Sequence, residues 1–497
     1  MITIQNLSKN YGIRPIFDRI NCSFNTGERV GLVGRNGEGK STLLRMITGE
    51  ETPDEGIISK PKHYRVGYLS QHIHFTKQTV VEEACLGLPH GREDEEWSVK
   101  IVLSGLGFRD EDFDRSPQEF SGGYQVRINL AKVLVSEPDM LILDEPTNFL
   151  DIVSIRWLES FLKDWKGEMI LVSHDRNFMD SIVTHIIGLH RSSAKKICGN
   201  TADYYEQIER EEEVHESRRI NNEKSRRKME QFIAKFKARA SHANLVQSRV
   251  KTLEKRELIE KLPEIATLSF SFNSASFEAP HPLIVNNLTF SYSEEGPVLI
   301  DHLDLTLEKG DCLCVIGKNG KGKTTLLKLL AGRLTPKSGT VRIHPQVRMG
   351  YYEQANTAML NPSFSVEEEI GISGKSKDLK AIRDICGAMM FSGDDALKKI
   401  KVLSGGEQCR VLIGKLLMQP TNLLILDEPT HHLDMSSTEA LMDAINEFEG
   451  AVVMVTHNEH LLESVATKLL VFQNNKITLF PGTYNEFLDQ IGWDEEG

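Results

Sequence analysis

Two glycine-rich loops in this chain have the residue types and the spacing that bind phosphate groups. The first loop consists of Gly34, Arg35, Asn36, Gly37, Glu38, Gly39, Lys40, Ser41 and Thr42. The second loop consists of Gly317, Lys318, Asn319, Gly320, Lys321, Gly322, Lys323, Thr324 and Thr325. Glycines allow backbone N–H groups to converge on phosphate oxygens, and the dipole of a following helix favours the negative charge. An apolar strand before each loop and a helical pattern after it are typical of a P-loop, so the sequence predicts two nucleotide sites.

Each loop ends in a lysine that is followed by a hydroxyl residue. Lys40 and Lys323 are predicted to reach the β- and γ-phosphates of the nucleotide. Ser41 and Thr324 are predicted to bind Mg²⁺ through their hydroxyl oxygens. ATP and Mg²⁺ are therefore the expected cofactors.

An aspartate–glutamate pair ends an apolar strand in each half of the chain. Asp144 and Asp427 are the last strand residues, so we expect their carboxylates near the glycine loops, where they would hold Mg²⁺ through water. Glu145 and Glu428 come next and are predicted to act as general bases that polarise the attacking water. Such a pair can also serve as a helix cap, but a phosphate-binding loop upstream in both halves favours the catalytic role. The sequence thus predicts an ATPase.

A histidine and a glutamine recur in both halves next to these motifs. His174 and His457 follow apolar strands, and we predict that they contact the γ-phosphate and take part in catalysis. A single histidine in such a place is more often structural, but the fixed distance from the acidic strand end favours a role in the site. Gln71 and Gln354 each follow a short Gly-Tyr strand and are predicted to complete the metal shell or to sense the γ-phosphate.

Two tyrosines lie shortly before the strands that lead to the glycine loops. An aromatic ring at Tyr11 or Tyr292 can stack on adenine, so both are predicted nucleotide contacts. A tyrosine packed in the core would give the same sequence pattern. The residues alone leave both interpretations open.

The motifs form one long unit that occurs twice. Each motif of the second half lies 283 residues after its counterpart. The same offset relates Ser121 to Ser404 in a Ser-Gly-Gly motif and Asp151 to Asp434 in a Leu-Asp motif. The spacing between successive motifs is therefore the same in both halves, with no net insertion in either. This indicates duplication of a domain-sized segment, and the two copies can face each other and share their sites.

The composition indicates a globular protein of two to three domains. Of the 497 residues, 40% are hydrophobic, and the formal net charge of −12 argues against a protein that coats nucleic acid with its whole surface. The seven cysteines include no Cys-x-x-Cys pair, so we expect reduced thiols in the cytoplasm rather than a metal site or disulfides. No apolar run reaches the roughly 18 residues of a membrane helix, and we expect no membrane insertion.

Apolar strands alternate with helical patterns through both halves of the chain. Continuous apolar segments lead into the glycine loops and into the aspartate–glutamate pairs. This arrangement predicts an α/β fold in which helices cover both faces of a mainly parallel sheet. We place one such domain at residues 1–200 and the other at residues 282–497. Residues 201–281 are assigned to a linker.

The linker differs from both domains in composition. Residues 217–257 contain thirteen Lys or Arg and four Glu, a net charge of +9 in a chain whose remainder is about −21. Apolar residues recur at helical spacing on both sides of a polar stretch at 240–244, namely Met229, Phe232, Ile233 and Phe236, then Leu245, Val246, Val250 and Leu253. The pattern predicts a projecting two-helix antiparallel hairpin. A solvated spacer is the simpler interpretation of a charge run, but segregation of one sign in an acidic chain favours a binding role.

Together these motifs resemble the ATP-binding cassette superfamily. Its signature is a Ser-Gly-Gly motif upstream of an Asp-Glu-Pro-Thr strand end, and both halves contain it together with a P-loop. Two cassettes without a membrane span, joined by a charged helical linker, resemble the ABC-F family in particular. The motifs Asp-Glu-Pro-Thr-Asn-Phe-Leu-Asp and Asp-Glu-Pro-Thr-His-His-Leu-Asp are similar to that family's motif, as is the linker stretch Phe-Lys-Ala-Arg-Ala-Ser-His-Ala-Asn. The resemblance implies two P-loop ATP-binding cassette domains joined by the projecting hairpin.

The resemblance also implies how the two cassettes work together. In such proteins the signature of one cassette caps the ATP that is bound to the P-loop of the other. ATP on Lys40 is therefore expected against the second signature, and ATP on Lys323 against the first. The signature residues are Ser121, Gly122, Gly123, Ser404, Gly405 and Gly406. This closure implies a monomer with intramolecular cassette pairing and two composite ATPase sites.

A partner follows from the ABC-F resemblance. Members of that family bind ATP, enter the tRNA exit site of the ribosome and direct the linker hairpin toward the peptidyl-transferase region. Some modulate translation, and others protect the ribosome from antibiotics. The chain is accordingly expected to be a cytoplasmic ATPase that binds the rRNA and tRNA of the ribosome through its basic linker.

The chain departs from the family pattern at three positions near the sites. Phe149 stands where the family usually has His, His431 replaces the usual Asn, and Asn458 stands where an Asp often follows the histidine. The lysines, glutamates and histidines of both sites are retained, so both sites are expected to be competent. The three departures could still make the two sites hydrolyse ATP at unequal rates.

Two other functions stay open at this stage. The ATPase subunit of an ABC exporter, working with a separate membrane protein, has the same motifs but leaves the basic hairpin unexplained. A DNA-associated repair ATPase usually has a long coiled coil within its cassette, whereas both cassettes of this chain are intact.

Overall fold

The computed structural model describes residues 1–12, 14–69, 75–92, 94–236, 243–254, 259–262, 268–294, 296–353, 360–374, 378–473 and 476–493. The chain divides into two units. One unit contains Met1–Cys198 together with Thr267–Gly497, and the other contains Gly199–Ala266. Both predicted cassettes therefore lie in the first unit, and most of the predicted linker lies in the second.

The first cassette contains two sheets. Its strands are β1 (Ile2–Tyr11), β2 (Arg14–Phe24), β3 (Arg29–Val33), β4 (Glu55–Ser59), β5 (Val66–Tyr68), β6 (Met140–Asp144), β7 (Glu168–Val172), β8 (His185–His190) and β9 (Ser193–Cys198). In the described ranges, the large sheet has the order β5–β6–β7–β3–β8–β9 and is parallel except for its last pair. A small antiparallel sheet has the order β2–β1–β4.

Helices connect the strands of the large sheet. The helices of this cassette are α1 (Lys40–Thr48), α2 (Val80–Cys85), α3 (Glu96–Gly105), α4 (Gly122–Val135), α5 (Ile152–Lys163) and α6 (Arg176–Ile182). Strand β6 shows why the strands of the large sheet are continuously apolar in sequence. Its residues Leu141 and Leu143 belong to one core cluster, whereas Met140 and Ile142 belong to another. Because successive side chains point to opposite faces of a strand, both faces of the sheet are covered.

The described part of the linker unit contains two helices, α7 (Thr201–Phe236) and α8 (Ala243–Glu254). Ion pairs at i, i+4 spacing stabilise α7, including Arg227 with Glu223 at 2.6 Å. The guanidinium of Arg249 on α8 lies 5.1 Å from the ring centroid of Phe232 on α7, so the two helices contact each other, and their antiparallel packing stays a prediction. Of the predicted turn, 240–242 lie outside the described residues, and α8 already begins at 243. Whether the hairpin projects from the cassettes stays a prediction.

The second cassette repeats the plan of the first. Its strands are β10 (Leu283–Phe290), β11 (Ile300–Leu307), β12 (Cys312–Gly317), β13 (Ser338–Ile343), β14 (Met349–Tyr352), β15 (Leu423–Asp427), β16 (Ala451–Val455), β17 (Lys468–Gln473) and β18 (Lys476–Phe480). Its helices are α9 (Lys323–Leu330), α10 (Val366–Ser373), α11 (Leu379–Ala388), α12 (Gly405–Leu417), α13 (Met435–Asn446), α14 (Glu459–Val465) and α15 (Tyr484–Gln490). The large sheet has the order β14–β15–β16–β12–β17–β18 in the part of the chain that is described.

The two large sheets have equivalent strand orders, so the duplication seen in the motifs extends to the fold. The predicted α/β class with two cassettes is confirmed. Among the helices in the described ranges, none has the length and the hydropathy that crossing a membrane would require.

The segment before β10 packs on the second cassette. The N–H of Thr421 donates to the carbonyl of Asn273 at 2.8 Å, and the N–H of Ala275 donates to the carbonyl of Thr421 at 2.7 Å. The ring of Phe272 contacts that of Phe448. Residues 268–281, which the sequence assigns to the linker, are thus held by the cassette unit. The three predicted domain boundaries stay a prediction.

Candidate functional site

The first glycine loop joins the end of β3 to the start of α1. Gly39, the last loop residue, has a φ of 95°, and a Cβ there would lie 2.4 Å from Cγ2 of Ile16, so only glycine fits. The ammonium group of Lys40 turns back and donates hydrogen bonds to the carbonyls of Gly34 at 2.7 Å and Arg35 at 3.3 Å. The buried lysine charge is thereby held inside the loop.

The second glycine loop has the same geometry between β12 and α9. Lys323 donates to the carbonyls of Gly317 at 2.7 Å and Lys318 at 2.9 Å. Burial lowers the pKa of Lys323 to about 8, although the carboxylates of Asp151 and Glu428 oppose this shift. Among the described residues, no carboxylate lies within hydrogen-bond distance of Lys323, and such a buried cation is suited to an anionic ligand such as a phosphate. Both loops thus fit the phosphates of ATP.

The residues predicted to bind Mg²⁺ meet at the strand ends. The hydroxyl of Ser41 donates to Oδ2 of Asp144 at 2.9 Å. In the second cassette, both carboxylate oxygens of Asp427 are buried, and the hydroxyl of Thr324 is a hydrogen-bonding neighbour of this carboxylate. Burial raises the pKa of Asp427 to about 6, and Thr324 and Lys323 oppose the shift. A buried carboxylate beside a hydroxyl group fits the binding of a cation. Gln71 and Gln354 lie outside the described residues.

The two predicted catalytic glutamates sit at strained backbone positions. Glu145 follows β6 with a φ of 53°, and Glu428 follows β15 with a φ of 49°. Such left-handed conformations are unusual for residues with a side chain and tend to occur at functional sites. Burial, together with the neighbouring Asp144 or Asp427, raises the pKa of each glutamate to about 8. A carboxylate whose pKa lies near neutral pH is well suited to general base catalysis.

A histidine lies beside each glutamate. Nε2 of His174 is 3.3 Å from Oε1 of Glu145, and Nε2 of His457 is 3.4 Å from Oε1 of Glu428. Burial and the charge of Lys40 lower the pKa of His174 to about 3, and burial likewise lowers that of His457. Both imidazoles are therefore neutral at physiological pH. A neutral ring can donate a hydrogen bond without adding charge, and the predicted γ-phosphate contact stays a prediction.

The first P-loop touches the second cassette. The N–H of Asn36 donates to Oδ2 of Asp434 at 3.1 Å, and the amide of Asn36 donates to the carbonyl of His432 at 3.2 Å. The signature residue Gly406, at the start of α12, is so close that a Cβ there would lie 3.1 Å from Nδ2 of Asn36. Ser404 caps that helix. The second signature therefore lies against the loop that ends in Lys40.

The reciprocal contact joins the second P-loop to the first cassette. The N–H of Asn319 donates to Oδ2 of Asp151 at 3.0 Å, and Ser121 is the N-cap residue of α4. A cavity of about 380 Å³ lies between the second P-loop and the first signature. Its volume is within the size range of small-molecule sites. Residues that line it include Ser121, Gly123, Asn319, Gly320, Lys323, Thr324, Asp427, Glu428 and His457.

Neither of the two tyrosines is a core residue. Tyr11 and Tyr292 are 48% and 69% exposed. The hydroxyl of Tyr292 is hydrogen-bonded to that of Thr325 at 3.0 Å, and Tyr11 lines a cavity that also contains Lys40 and Ser41. The structure thus excludes the core interpretation that the sequence left open, while stacking on adenine stays a prediction.

Sequence reasoning gave no role to three residues that organise the site. Asp151 and Asp434 each contact the opposite glycine loop, although only the repetition of the Leu-Asp motif pointed to them. Arg127 is buried, and its guanidinium donates to the carbonyl of Phe149 at 2.8 Å and lies 3.7 Å from Asp151. Its repetition as Arg410, at the same offset of 283, was the available signal.

Comparisons with known proteins agree with this geometry. A family model described as ABC transporter matches residues 17–148 and 300–431, and another with the same description matches 187–272. ATP-binding protein YheS of Escherichia coli K12 is 33% identical and covers 98% of this chain and 81% of its own length. ATP-binding cassette sub-family F member 2 of Mus musculus is also 33% identical and covers 100% of this chain and 84% of its own length.

A solved structure of an archaeal ribosome recycling factor, aABCE1, bound to the stalk protein aP1 has a similar fold. It has a TM-score of 0.67 and 20% identity, and covers 98% of this chain and 92% of that chain. At this identity the likeness concerns the fold alone. The cassette domains bind ATP and have ATPase activity. The matched family models, and the identity to a sub-family F member over the whole of this chain, show that the chain belongs to the ABC-F family of twin-cassette ATP-binding proteins.

Proposed function

We propose that this protein is an ATP-driven ribosome-binding factor that hydrolyses ATP at two composite sites. Its cassettes would occupy residues 1–200 and 282–497 on either side of the basic linker. One observation carries the ribosomal part of the proposal. The +9 segment at 217–257, in an otherwise acidic chain, lies largely on α7 and α8, and such a surface suits the phosphates of RNA.

Each composite site would combine one P-loop with the opposite signature. ATP on Lys40 would lie against the signature that contains Ser404, and ATP on Lys323 against the one that contains Ser121. The hydrogen bonds of Asn36 with Asp434 and of Asn319 with Asp151 support this arrangement. ATP would be positioned by groups from both cassettes, so binding and closure would favour one another.

In this proposal the strand-end residues divide the chemistry. Ser41 with Asp144, and Thr324 with Asp427, would hold Mg²⁺, which neutralises phosphate charge when bound. Glu145 and Glu428 would orient and deprotonate the attacking water. His174 and His457 would donate a hydrogen bond toward the γ-phosphate, and Tyr11 and Tyr292 would stack on adenine.

The ribosomal proposal extends to translation. The hairpin would enter the tRNA exit site and contact rRNA and tRNA, and the protein would work in the cytoplasm as a monomer. Its effect would be to modulate translation or to protect the ribosome from antibiotics. Folding of α7 and α8 as one unit supports a preformed binding element.

The decisive experiment uses the Glu145→Gln, Glu428→Gln double variant. Loss of the general base should slow ATP hydrolysis about 10²–10⁴-fold without preventing ATP binding. With ATP, this variant should sediment with ribosomes, and it should not sediment with membrane vesicles or duplex DNA. Sedimentation with membranes instead would favour the exporter function, and sedimentation with DNA would favour the repair function. A wild-type hydrolysis rate would remove the catalytic assignment.

The composite arrangement is tested by arginine at each signature. Ser404→Arg should reduce nucleotide occupancy of the site on Lys40, because the new side chain stands at the N-terminus of α12, the helix whose Gly406 lies against Asn36. Ser121→Arg is the matched variant and should act on the site on Lys323. Occupancy is resolved in Lys323→Ala and Lys40→Ala backgrounds. If each substitution acted on the P-loop of its own cassette, the proposal of composite sites would be wrong.

A further inference from the structure

Two ion pairs cross the interface between the cassettes. Nε of Arg156 on α5 lies 2.6 Å from Oε1 of Glu459, the first residue of α14. Nη2 of Arg176, the first residue of α6, lies 2.7 Å from Oε1 of Glu439 on α13. In both pairs the arginine belongs to the first cassette and the glutamate belongs to the second.

The duplication relates these two pairs to each other. Arg156 and Glu439 are 283 residues apart, and so are Arg176 and Glu459. Each pair is therefore the counterpart of the other after exchange of the cassettes. The four residues occupy only two kinds of position in the repeated unit. Both positions carry Arg in the first copy and Glu in the second.

This distribution has a consequence for pairing between identical cassettes. Two first cassettes in the same arrangement would place Arg156 against Arg176 twice. Two second cassettes would place Glu439 against Glu459 twice. Like charges at such distances repel, and repulsion of this kind is a common means of excluding wrong partners.

We propose that these four residues select the partner of each cassette. The first cassette accepts a cassette that carries glutamates at these positions and rejects a second copy of itself. The duplicated protein thereby keeps its two halves paired with each other, rather than forming contacts between equivalent halves of different molecules. The inference rests on the contacts across the interface and requires neither ATP hydrolysis nor ribosome binding.

The surroundings of the pairs favour a measurable effect. The side chains of Arg156 and Glu459 are 34% and 16% exposed, and those of Arg176 and Glu439 are 24% and 39% exposed. Partial burial strengthens the interaction relative to a fully solvated pair. Glu459 also accepts a hydrogen bond from the hydroxyl of Tyr484 at 2.9 Å, so Glu439 is the cleaner position for substitution.

The test is the substitution Glu439→Arg in the full-length chain. It gives position 439 the residue of its counterpart at 156, and so recreates beside Arg176 the contact that two first cassettes would make. Closure is measured by the rate at which a short bis-maleimide joins Asn177→Cys to Glu463→Cys, because these side chains meet across the interface, where Nδ2 of Asn177 donates to Glu463 at 2.8 Å. Exposed Cys198 is replaced by Ser throughout. Glu439→Arg should slow crosslinking about tenfold.

Rescue identifies the specific pair. Adding Arg176→Glu to Glu439→Arg reverses the pair and should restore the crosslinking rate. Adding Arg156→Glu instead makes the same change in net charge but places a glutamate against Glu459, and should not restore it. Glu447→Arg, at an exposed position of the same cassette, makes the same change in net charge as Glu439→Arg and is the matched control that should crosslink at the parent rate.

The outcomes separate cleanly. Parental crosslinking in a folded Glu439→Arg variant, or equal rescue by Arg156→Glu and Arg176→Glu, would overturn the proposal. If circular dichroism shows that Glu439→Arg does not fold, Arg176→Glu tests the same contact with Glu against Glu439, and its rescue by Glu439→Arg is again required. A catalytically inactive chain that still shows this pattern would support the inference even if the proposed function failed.

Discussion

The main-chain N–H of Asn36 donates a hydrogen bond of 3.1 Å to Oδ2 of Asp434, a residue 398 positions away. Asp434 also caps α13, where its other carboxylate oxygen accepts from the N–H of Ser437 at 2.9 Å. The equivalent contact joins Asn319 to Asp151 at 3.0 Å. One carboxylate in each cassette thus holds both the start of its own helix and the glycine loop of the other cassette.

This relationship predicts that Asp434→Asn damages the site on the other cassette. Burial raises the pKa of Asp434, but hydrogen bonds from Ser437 and Asn36 outweigh burial and lower it to about 2. The group is therefore charged at neutral pH. Asparagine still caps a helix but loses the charged hydrogen bond, so ATP affinity of the Lys40 site should fall about tenfold.

The measurement uses nucleotide binding in a Lys323→Ala background, which leaves the Lys40 site. Asp151→Asn is the matched control, because its partner Asn319 belongs to the other site. In this background Asp151→Asn should leave the affinity nearly unchanged. Equal losses from the two substitutions would mean that the aspartates act through general stability and not through the glycine loops.

Much of the fold could be predicted because its signals are local. The strand Met140–Asp144 is apolar up to Leu143 because both of its faces are buried, and the glycine at position 39 is required by its own φ. The roles of Asp151 and Asp434 depend instead on a contact between distant parts of the chain. No local property distinguishes a capping aspartate from one that also holds a loop 398 residues away.

The burial of Arg127 was also beyond sequence reasoning. A charged residue on a helix is usually solvated, and only the fold brings the carbonyls of Leu106 and Phe149 to its guanidinium. The counterpart Arg410 has different surroundings, with its guanidinium 5.4 Å from the ring of Phe391. Identical residues at equivalent positions of a duplicated sequence therefore differ in what they stabilise.

This difference predicts unequal costs for the two arginines. Arg127→Met should lower the free energy of unfolding by about 3 kcal/mol, because the carbonyls of Leu106 and Phe149 lose buried, charge-assisted donors. Arg410→Met should cost at least about 1 kcal/mol less, since Nε of Arg410 has no hydrogen-bond partner in the described residues. Urea denaturation followed by circular dichroism measures both. Equal costs would contradict the difference in their environments.

The buried glutamates predict a dependence of stability on pH. Burial, with Asp144 nearby, raises the pKa of Glu145 to about 8. Between the ordinary glutamate pKa of about 4.3 and this value, the folded protein keeps a proton that the unfolded chain has lost. The free energy of unfolding contributed by Glu145 therefore falls as the pH rises through this window.

Glu145→Gln removes that loss in the nucleotide-free protein. The variant should be more stable than the parent at pH 8 by at least about 1 kcal/mol, and the difference should shrink toward pH 4.5. Thermal unfolding at both pH values measures the change. Glu55→Gln at an exposed position is the control. A stability gain of equal size at both pH values would show that the carboxyl group is not responsible.

The linker predicts a ribosome affinity that depends on charge. Lys235 lies at the C-terminal end of α7 and Arg249 in the middle of α8, and Lys237 and Arg239 lie between the two helices in sequence, outside the described residues. Replacing all four by Glu should weaken binding to ribosomes. The slope of log affinity against log salt should become less negative by about 0.7–0.9 for each phosphate contact that is lost.

A charge-matched variant separates the hairpin from the overall charge of the protein. Lys60, Lys62, Lys166 and Lys476 are exposed on the cassettes, and their replacement by Glu changes the net charge by the same amount. This control should keep both the affinity and its salt dependence. Basal ATPase activity should survive in the hairpin variant, because the proposed catalytic groups belong to the cassettes, whereas any stimulation by ribosomes should be lost. An unchanged affinity across the salt titration, in a hairpin variant that circular dichroism shows to be folded, would reduce the hairpin to a spacer and return the exporter function to consideration.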